Sequence, residues 1–440
     1  MDTPLLSPTT ETYGTSETCG TVLPLPPQLD PNETDWIVPV NDNKQPSIYR
    51  VPAFITNLSP NAYRPQVVSF GPYHHNDVQL RPMEEHKNRA LDHFLNRSQK
   101  TREPFLESLR KVARNLEESY DALDPKWKDG AGDQFLELMI TDGCFILEIM
   151  RIAAEVEEEK NDYAPSDPIF STHRMAYITP YIRRDMLMLE NQLPMLVLEC
   201  LVTVERDGKE REGYINELIL NFYFPNTGVR RMDRFLHVMD VFRKGLLTPE
   251  KVQNGPEAGG DEIIRSATEL EEAGIRFKKS HTRSLEDVSF GGGVLRLPVI
   301  KVDDATESMF LNIMTFERLH IGAGTEVTSY VTFMDSIINN EGDVALLHTN
   351  GIIQNALGSD KAVAELFNSL CKEVTLASNN SFDAVQKKIS TYCEKPWNRW
   401  RANLNHTYFK NPWTILSLIA AILLFAIAII QTVYALLTYY

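Results

Sequence analysis

The sequence has no Cys-x-x-Cys or Cys-x-x-His spacing, and its five cysteines (Cys19, Cys144, Cys200, Cys371, Cys393) are odd in number and far apart. That excludes a zinc site of closely spaced thiolates and a disulfide-dense scaffold. Cys144 and Cys200 fall in apolar runs, "DGCFILEIM" and "MLVLECLV", where a free thiol acts as a small hydrophobe, so the chain reads as one from a reducing compartment. Basic charge is also short: 44 Lys+Arg stand against 60 Asp+Glu, a net charge of -16, with no segregated basic patch. Such a field repels phosphate backbones, which argues against a nucleic-acid partner. There is no Walker sequence, no Gly-x-Ser-x-Gly elbow and no kinase motif set. Gly291, Gly292 and Gly293 lead into a strand-like pattern, whereas a phosphate loop leads into a helix and carries a lysine. Neither a small-molecule cofactor nor an assigned catalytic residue is expected. No fixed-period repeat supports a solenoid.

What is present suits a globular protein: 440 residues, 43% hydrophobic and 24% charged, enough to bury a full core. The ends differ from the middle. Residues 1–35 are rich in Thr, Pro and Ser and contain no Lys or Arg; they read as a disordered leader, since a signal peptide needs a basic start and an apolar run. Residues 411–440, "NPWTILSLIAAILLFAIAIIQTVYALLTYY", carry no charge and are flanked by Trp413, Tyr434, Tyr439 and Tyr440. About 20 apolar residues cross a bilayer, so this stretch reads as a transmembrane anchor with aromatic belts. Lys395, Arg399, Arg401 and Lys410 precede it and no charge follows, which puts the N-terminal part in the cytosol and makes the chain tail-anchored. The sequons at Asn32, Asn96, Asn379 and Asn405 favour the opposing reading of a lumenal or extracellular domain.

Between the ends, residues 36–410 read as one mainly α-helical domain with a minor β hairpin. Pro52, Pro65 and Pro72 forbid a long helix in "IYRVPAFITNLSPNAYRPQVVSFGPYHH". Apolar residues then recur at helical spacing in "MEEHKNRALDHFLNR", "PFLESLRKVARNLEESYDAL", "DQFLELMITDGCFILEIMRIAAEVEEE" and "GYINELILNFYF". "RRDMLMLENQLPMLVLECLVTV" reads as a helix broken or kinked at Pro194. A Gly/Pro-rich stretch at 248–262 is the best internal boundary. "EIIRSATELEEAGIRFKK" reads as a helix with Gly274 near its C-terminal cap. "GGGVLRLPVIKVDDAT" reads as a short hairpin or edge pair that Pro298 keeps from being a central strand. Helices resume with "ESMFLNIMTFERL", "VTSYVTFMDSIINN", "DVALLHTNGIIQNAL" and "DKAVAELFNSLCKEV".

Several ordered blocks, among them "NAYRPQVVSFGPYHH", "MEEHK", "DGCFILE", "DMLMLENQLPMLVL", "FMDSIINNEGDVALL" and "WNRWRANLNHTYFKNPW", together resemble the plant family called domain of unknown function 247, from about Ile48 onward. The resemblance implies a mainly helical fold with a C-terminal membrane helix and no assigned reaction or cofactor. It also implies a recognition role, because members at the self-incompatibility loci of grasses are pollen-side determinants. Such a role predicts expression confined to pollen.

Two constellations tempt a chemical reading. "SFGPYHHNDVQLRPMEEHK" brings His74, His75, Glu84, Glu85 and His86 close in sequence, and a membrane-tethered metal-dependent hydrolase using His74 or His75 with Glu84 or Glu85 is the enzymatic alternative. Adjacent residues in an extended segment point to opposite faces, however, and no His-Glu-x-x-His spacing enforces chelation. A turn leading into the first long helix is the plainer reading. In "DMLMLENQLP", Asp185, Glu190, Asn191 and Gln192 read either as an internal polar network near Pro194 or as a binding pocket. The leading expectation is a non-enzymatic, membrane-anchored protein that binds an unidentified protein partner and contacts the bilayer through residues 411–440.

Overall fold

The computed structural model describes residues 45–128, 133–153, 163–225, 234–247, 265–372, 381–395 and 412–439. The 1–35 leader and the 248–262 boundary lie outside the described residues. Helices of eight residues or more in the first half are α1 (Arg81–Ser98), α2 (Glu103–Arg110), α3 (Gln134–Ala153), α4 (Thr172–Asp185), α5 (Met195–Glu205), α6 (Tyr214–Tyr223) and α7 (Val238–Leu246). The second half adds β1 (Arg276–Lys279), β2 (Ser289–Gly291), β3 (Val294–Leu297), β4 (Ile300–Val302), α8 (Thr306–Leu319), α9 (Glu326–Ile337), α10 (Glu341–Thr349), β5 (Ile353–Asn355), α11 (Asp360–Leu370), α12 (Asp383–Glu394) and α13 (Pro412–Tyr439). The protein is mainly α, with small sheets.

Local chemistry accounts for the main boundaries. Helix α1 starts with Pro82 inside its first turn, where the missing N–H costs nothing, and ends where Gln99 turns left-handed at φ 54°. Its buried stripe, Met83, Lys87, Ala90, Leu91 and Phe94, recurs at helical spacing. Gly274, at φ +88°, follows the short helix Ala267–Glu272, and the Ile275 N–H closes back on the Leu270 carbonyl at 3.0 Å.

Three expectations change. The break expected at Pro194 is present but wider: the helix ends at Asp185 and restarts at Met195 with Pro194 as its N-cap, so "MLMLENQLP" is an irregular connection. Its amides bind backbone groups that a helix would otherwise use. In "DVALLHTNGIIQNAL" the helix stops at Thr349; Gly351 adopts φ +67° and Ile353–Asn355 becomes β5. The hairpin forms between β2 and β3 across Gly292 and Gly293, both at positive φ as a tight two-residue turn requires. Strand β3 is nonetheless central, in the order β1-β3-β2. Pro298 lies after the last paired residue, Leu297, so its missing N–H removes no ladder bond. Beyond it β4 pairs in parallel with β5.

Two apolar cores result. One gathers residues from α1 to α6, with Phe94, Phe105, Met139 and Phe145 fully buried; the other gathers the strands with α8 to α12, including Leu295, Tyr330 and Phe367. Tyr223 and Phe224 pack against both. The incoming segment also serves both: Ile48 belongs to the first core, and Tyr49 and Val51 to the second.

Candidate functional site

The stretch 66–77 runs along the first core and is held by acids and amides from distant helices. Helix α3 contributes Asp142, which sits between Met139 and Phe145 on a buried face. Asp142 Oδ2 accepts the Gly71 N–H at 2.8 Å, and Oδ1 accepts from Lys87 Nζ at 2.8 Å. Lys87 also lies 2.7 Å from Glu84 Oε1 and 3.3 Å from Ser69 Oγ. Burial pushes the Asp142 carboxyl up to about 6, against the pull of Lys87. Gly71 is required: at φ +70° an added Cβ would stand 2.9 Å from both the Gln192 carbonyl and the Tyr120 hydroxyl.

The connection after α4 supplies the rest. Asp185 accepts the N–H groups of Gln66, Val67 and Val68. Asn191 Oδ1 accepts the Phe70 N–H at 2.6 Å, and its Nδ2 donates to the carbonyls of Val68 and Asp185 at 3.0 Å each. Gln192 donates to the Met186 and Met188 carbonyls and accepts the Met239 N–H. Glu190 accepts the Val51 N–H at 2.7 Å. All four residues singled out in "DMLMLENQLP" thus engage backbone groups in an internal polar network, and Glu190 Oε2 also lies 3.6 Å from Arg50 and 3.2 Å from His74. Buried polar groups require such partners.

The His/Glu cluster does not converge. His74 Nε2 comes within 3.2 Å of Glu190 Oε2, an ion-pair distance without hydrogen-bond alignment, and its Nδ1 lies 3.7 Å from Asp77. His75 faces elsewhere, edge-on to Trp127 with ring centroids 5.4 Å apart. Burial lowers its pKa, against the pull of Glu84. His86 accepts from Arg89 at 2.7 Å, and Glu85 is exposed. His75 and Glu84 do border one open cavity of about 700 Å³, shared with Trp127, Lys126 and Arg102. Among the described residues no three His, Cys, Asp or Glu side chains gather as metal ligands.

The sequence reading missed three buried groups. Lys87 stands on the apolar stripe of α1, a position that itself signals a buried charge. Glu148, on α3, accepts from His93 at 3.1 Å and Tyr163 at 3.0 Å and pairs with Arg97. Burial would raise its pKa, but His93 and Arg97 hold it below the usual carboxylate range. His237 is fully buried ahead of α7, with no warning in its apolar surroundings.

This arrangement positions chain segments. Residues 48–427 match the profile of DUF247, described as plant protein of unknown function. The chain belongs to that family. This DUF247 chain is 30% identical to UPF0481 protein At3g47200 of Arabidopsis thaliana over 89% of its own length and 86% of the relative's. It is 22% identical to the putative UPF0481 protein At3g02645 of the same plant, over 91% and 94% of the two chains. No solved structure matches.

Proposed function

We propose that this DUF247 protein is a non-enzymatic, single-pass membrane protein that displays a rigid helical body to a protein partner. The carrying observation is Leu416–Leu436: 21 residues of mean hydropathy 2.6, none buried against the described protein. At about 1.5 Å per residue such a helix matches the hydrocarbon thickness. Lys395, Arg399, Arg401 and Lys410 ahead of it support a cytosolic body. The commitment of Asp142, Asp185, Asn191 and Gln192 to backbone groups supports a scaffold role for the polar interior. Protease protection on intact microsomes, with tags at both ends, tests the reading. Loss of the N-terminal tag supports it, and a protected tag with glycan on Asn96 overturns it.

The hydrolase alternative has one observation in its favour: His75 Nδ1 is buried without a hydrogen-bond partner among the described residues, beside the cavity that Glu84 borders. Metal analysis of the detergent-solubilised chain discriminates. Stoichiometric zinc or manganese, lost on His75→Ala, would sink the non-enzymatic reading.

A further inference from the structure

Helix α13 carries one primary amide within its apolar span, Gln431. Its neighbour Thr432 satisfies its hydroxyl locally, donating to the Ala428 carbonyl at 2.7 Å. Gln431 has no such bond among the described residues, and nothing described covers the span. The position lies within Leu416–Leu436, the stretch apolar enough to cross a membrane, with Val433, Leu436 and Leu437 following it. Side chains on a helix lean toward its N-terminus, so this amide reaches deeper into the bilayer and away from the nearer surface. An amide in hydrocarbon without a partner is unfavourable.

We propose that α13 pairs in parallel with α13 of a second copy of this chain, with the two Gln431 amides hydrogen-bonded to each other. The inference rests on the membrane reading above and extends it. A primary amide both donates and accepts, so it complements its own copy. Two copies inserted the same way place the amides at the same depth automatically, whereas a foreign helix would need a polar group matched in depth. Ala421, Leu424 and Ala428 precede Gln431 at spacings of 3, 4 and 3, the seam of a left-handed helix pair, and the alanines permit close approach.

Full-length chains carrying donor and acceptor fluorescent proteins at the N-terminus, co-expressed in plant cells, test the pairing by energy transfer. Alkaline carbonate extraction of the same membranes reports anchoring. The wild-type chain is expected to resist extraction and to transfer energy, with transfer lost on competition by unlabelled chain. Gln431→Leu weakens association roughly 3- to 20-fold, Gln431→Asn retains it, and Ile430→Leu, off the seam, leaves it unchanged. A membrane-retained wild type without transfer, or a Gln431→Leu variant that associates as well as wild type, overturns the pairing. Release of the wild-type chain by carbonate overturns the anchoring and the pairing with it.

Discussion

Lys87 Nζ lies 2.8 Å from Asp142 Oδ1, and both side chains are closed to water. The pair links α1 to α3, and through the Gly71 N–H it also fixes the "SFGPYHH" turn. Lys87→Met leaves the Asp142 carboxylate uncompensated in the core and is expected to cost about 3–5 kcal/mol; Asp142→Leu is expected to cost less, because Glu84 remains 2.7 Å from Lys87. The double variant loses less than the sum of the two, because no lone charge remains. Denaturant unfolding of the solubilised chain, followed by tryptophan fluorescence, gives all three values. Additive losses would show that the pair is not energetically coupled.

His237 sets an acid limit. Its Nε2–H donates to the Ser47 carbonyl at 3.1 Å and its Nδ1 accepts the Asp240 N–H at 3.3 Å. Those partners assign the neutral tautomer, since a carbonyl only accepts and an amide N–H only donates. Burial lowers the pKa from 6.5 to about 4. The unfolded state therefore binds the extra proton first: stability is complete above pH 6.5 and falls as pH drops from 6.5 toward 4, by about 3 kcal/mol. A His237→Gln variant, which titrates nothing there, should show a shallower loss over that window. An identical pH slope in both proteins would exclude His237 as the cause.

Helical spacing was legible because the amphipathic stripes are long: the α1, α3, α6, α8 and α11 assignments need only apolar periodicity. "MLMLENQLP" and "GIIQNAL" were not. Both contain enough apolar residues to look helical, and what decides them is tertiary: Asn191 and Gln192 capture backbone groups of segments far away, and Ile353 finds Ile300 as a strand partner. The candidate site was legible in place but not in role. "MEEHK" drew the eye to its histidine and glutamates, while its working residue is the final lysine, whose partner Asp142 lies 55 residues on. No local pattern announces such a pairing; only a charge on an apolar stripe hints at it.

Asn191 offers a test of the network free of net-charge removal. Its Oδ1 faces the Phe70 N–H and its Nδ2 faces two carbonyls. Asn191→Asp is nearly isosteric but turns a donor toward-carbonyl contact into oxygen against oxygen. The expected loss is about 3 kcal/mol or more, from two unsatisfied carbonyls and a buried carboxylate. The measurement is the unfolding midpoint at neutral pH and again near pH 5, where protonating the new acid should recover part of the loss. A variant as stable as wild type would mean the turn is held by other bonds.

The proposed anchoring by α13 can be tested inside the helix without touching the folded body. Each apolar residue near the centre of a span contributes only about 0.3–0.6 kcal/mol to insertion, whereas an arginine there costs about 2.5–3.5 kcal/mol. One arginine offsets several leucines; two offset most of a 21-residue span. Ala426→Arg should therefore leave the chain partly carbonate-resistant, and Leu423→Arg with Ala426→Arg should move it to the extractable fraction. Ile427→Leu, which keeps the hydropathy, should change nothing. The body outside α13 has its own cores and its own polar network, so the double variant should still unfold cooperatively once released. Retention of the double-arginine chain in carbonate-washed membranes would mean that something other than Leu416–Leu436 holds it there.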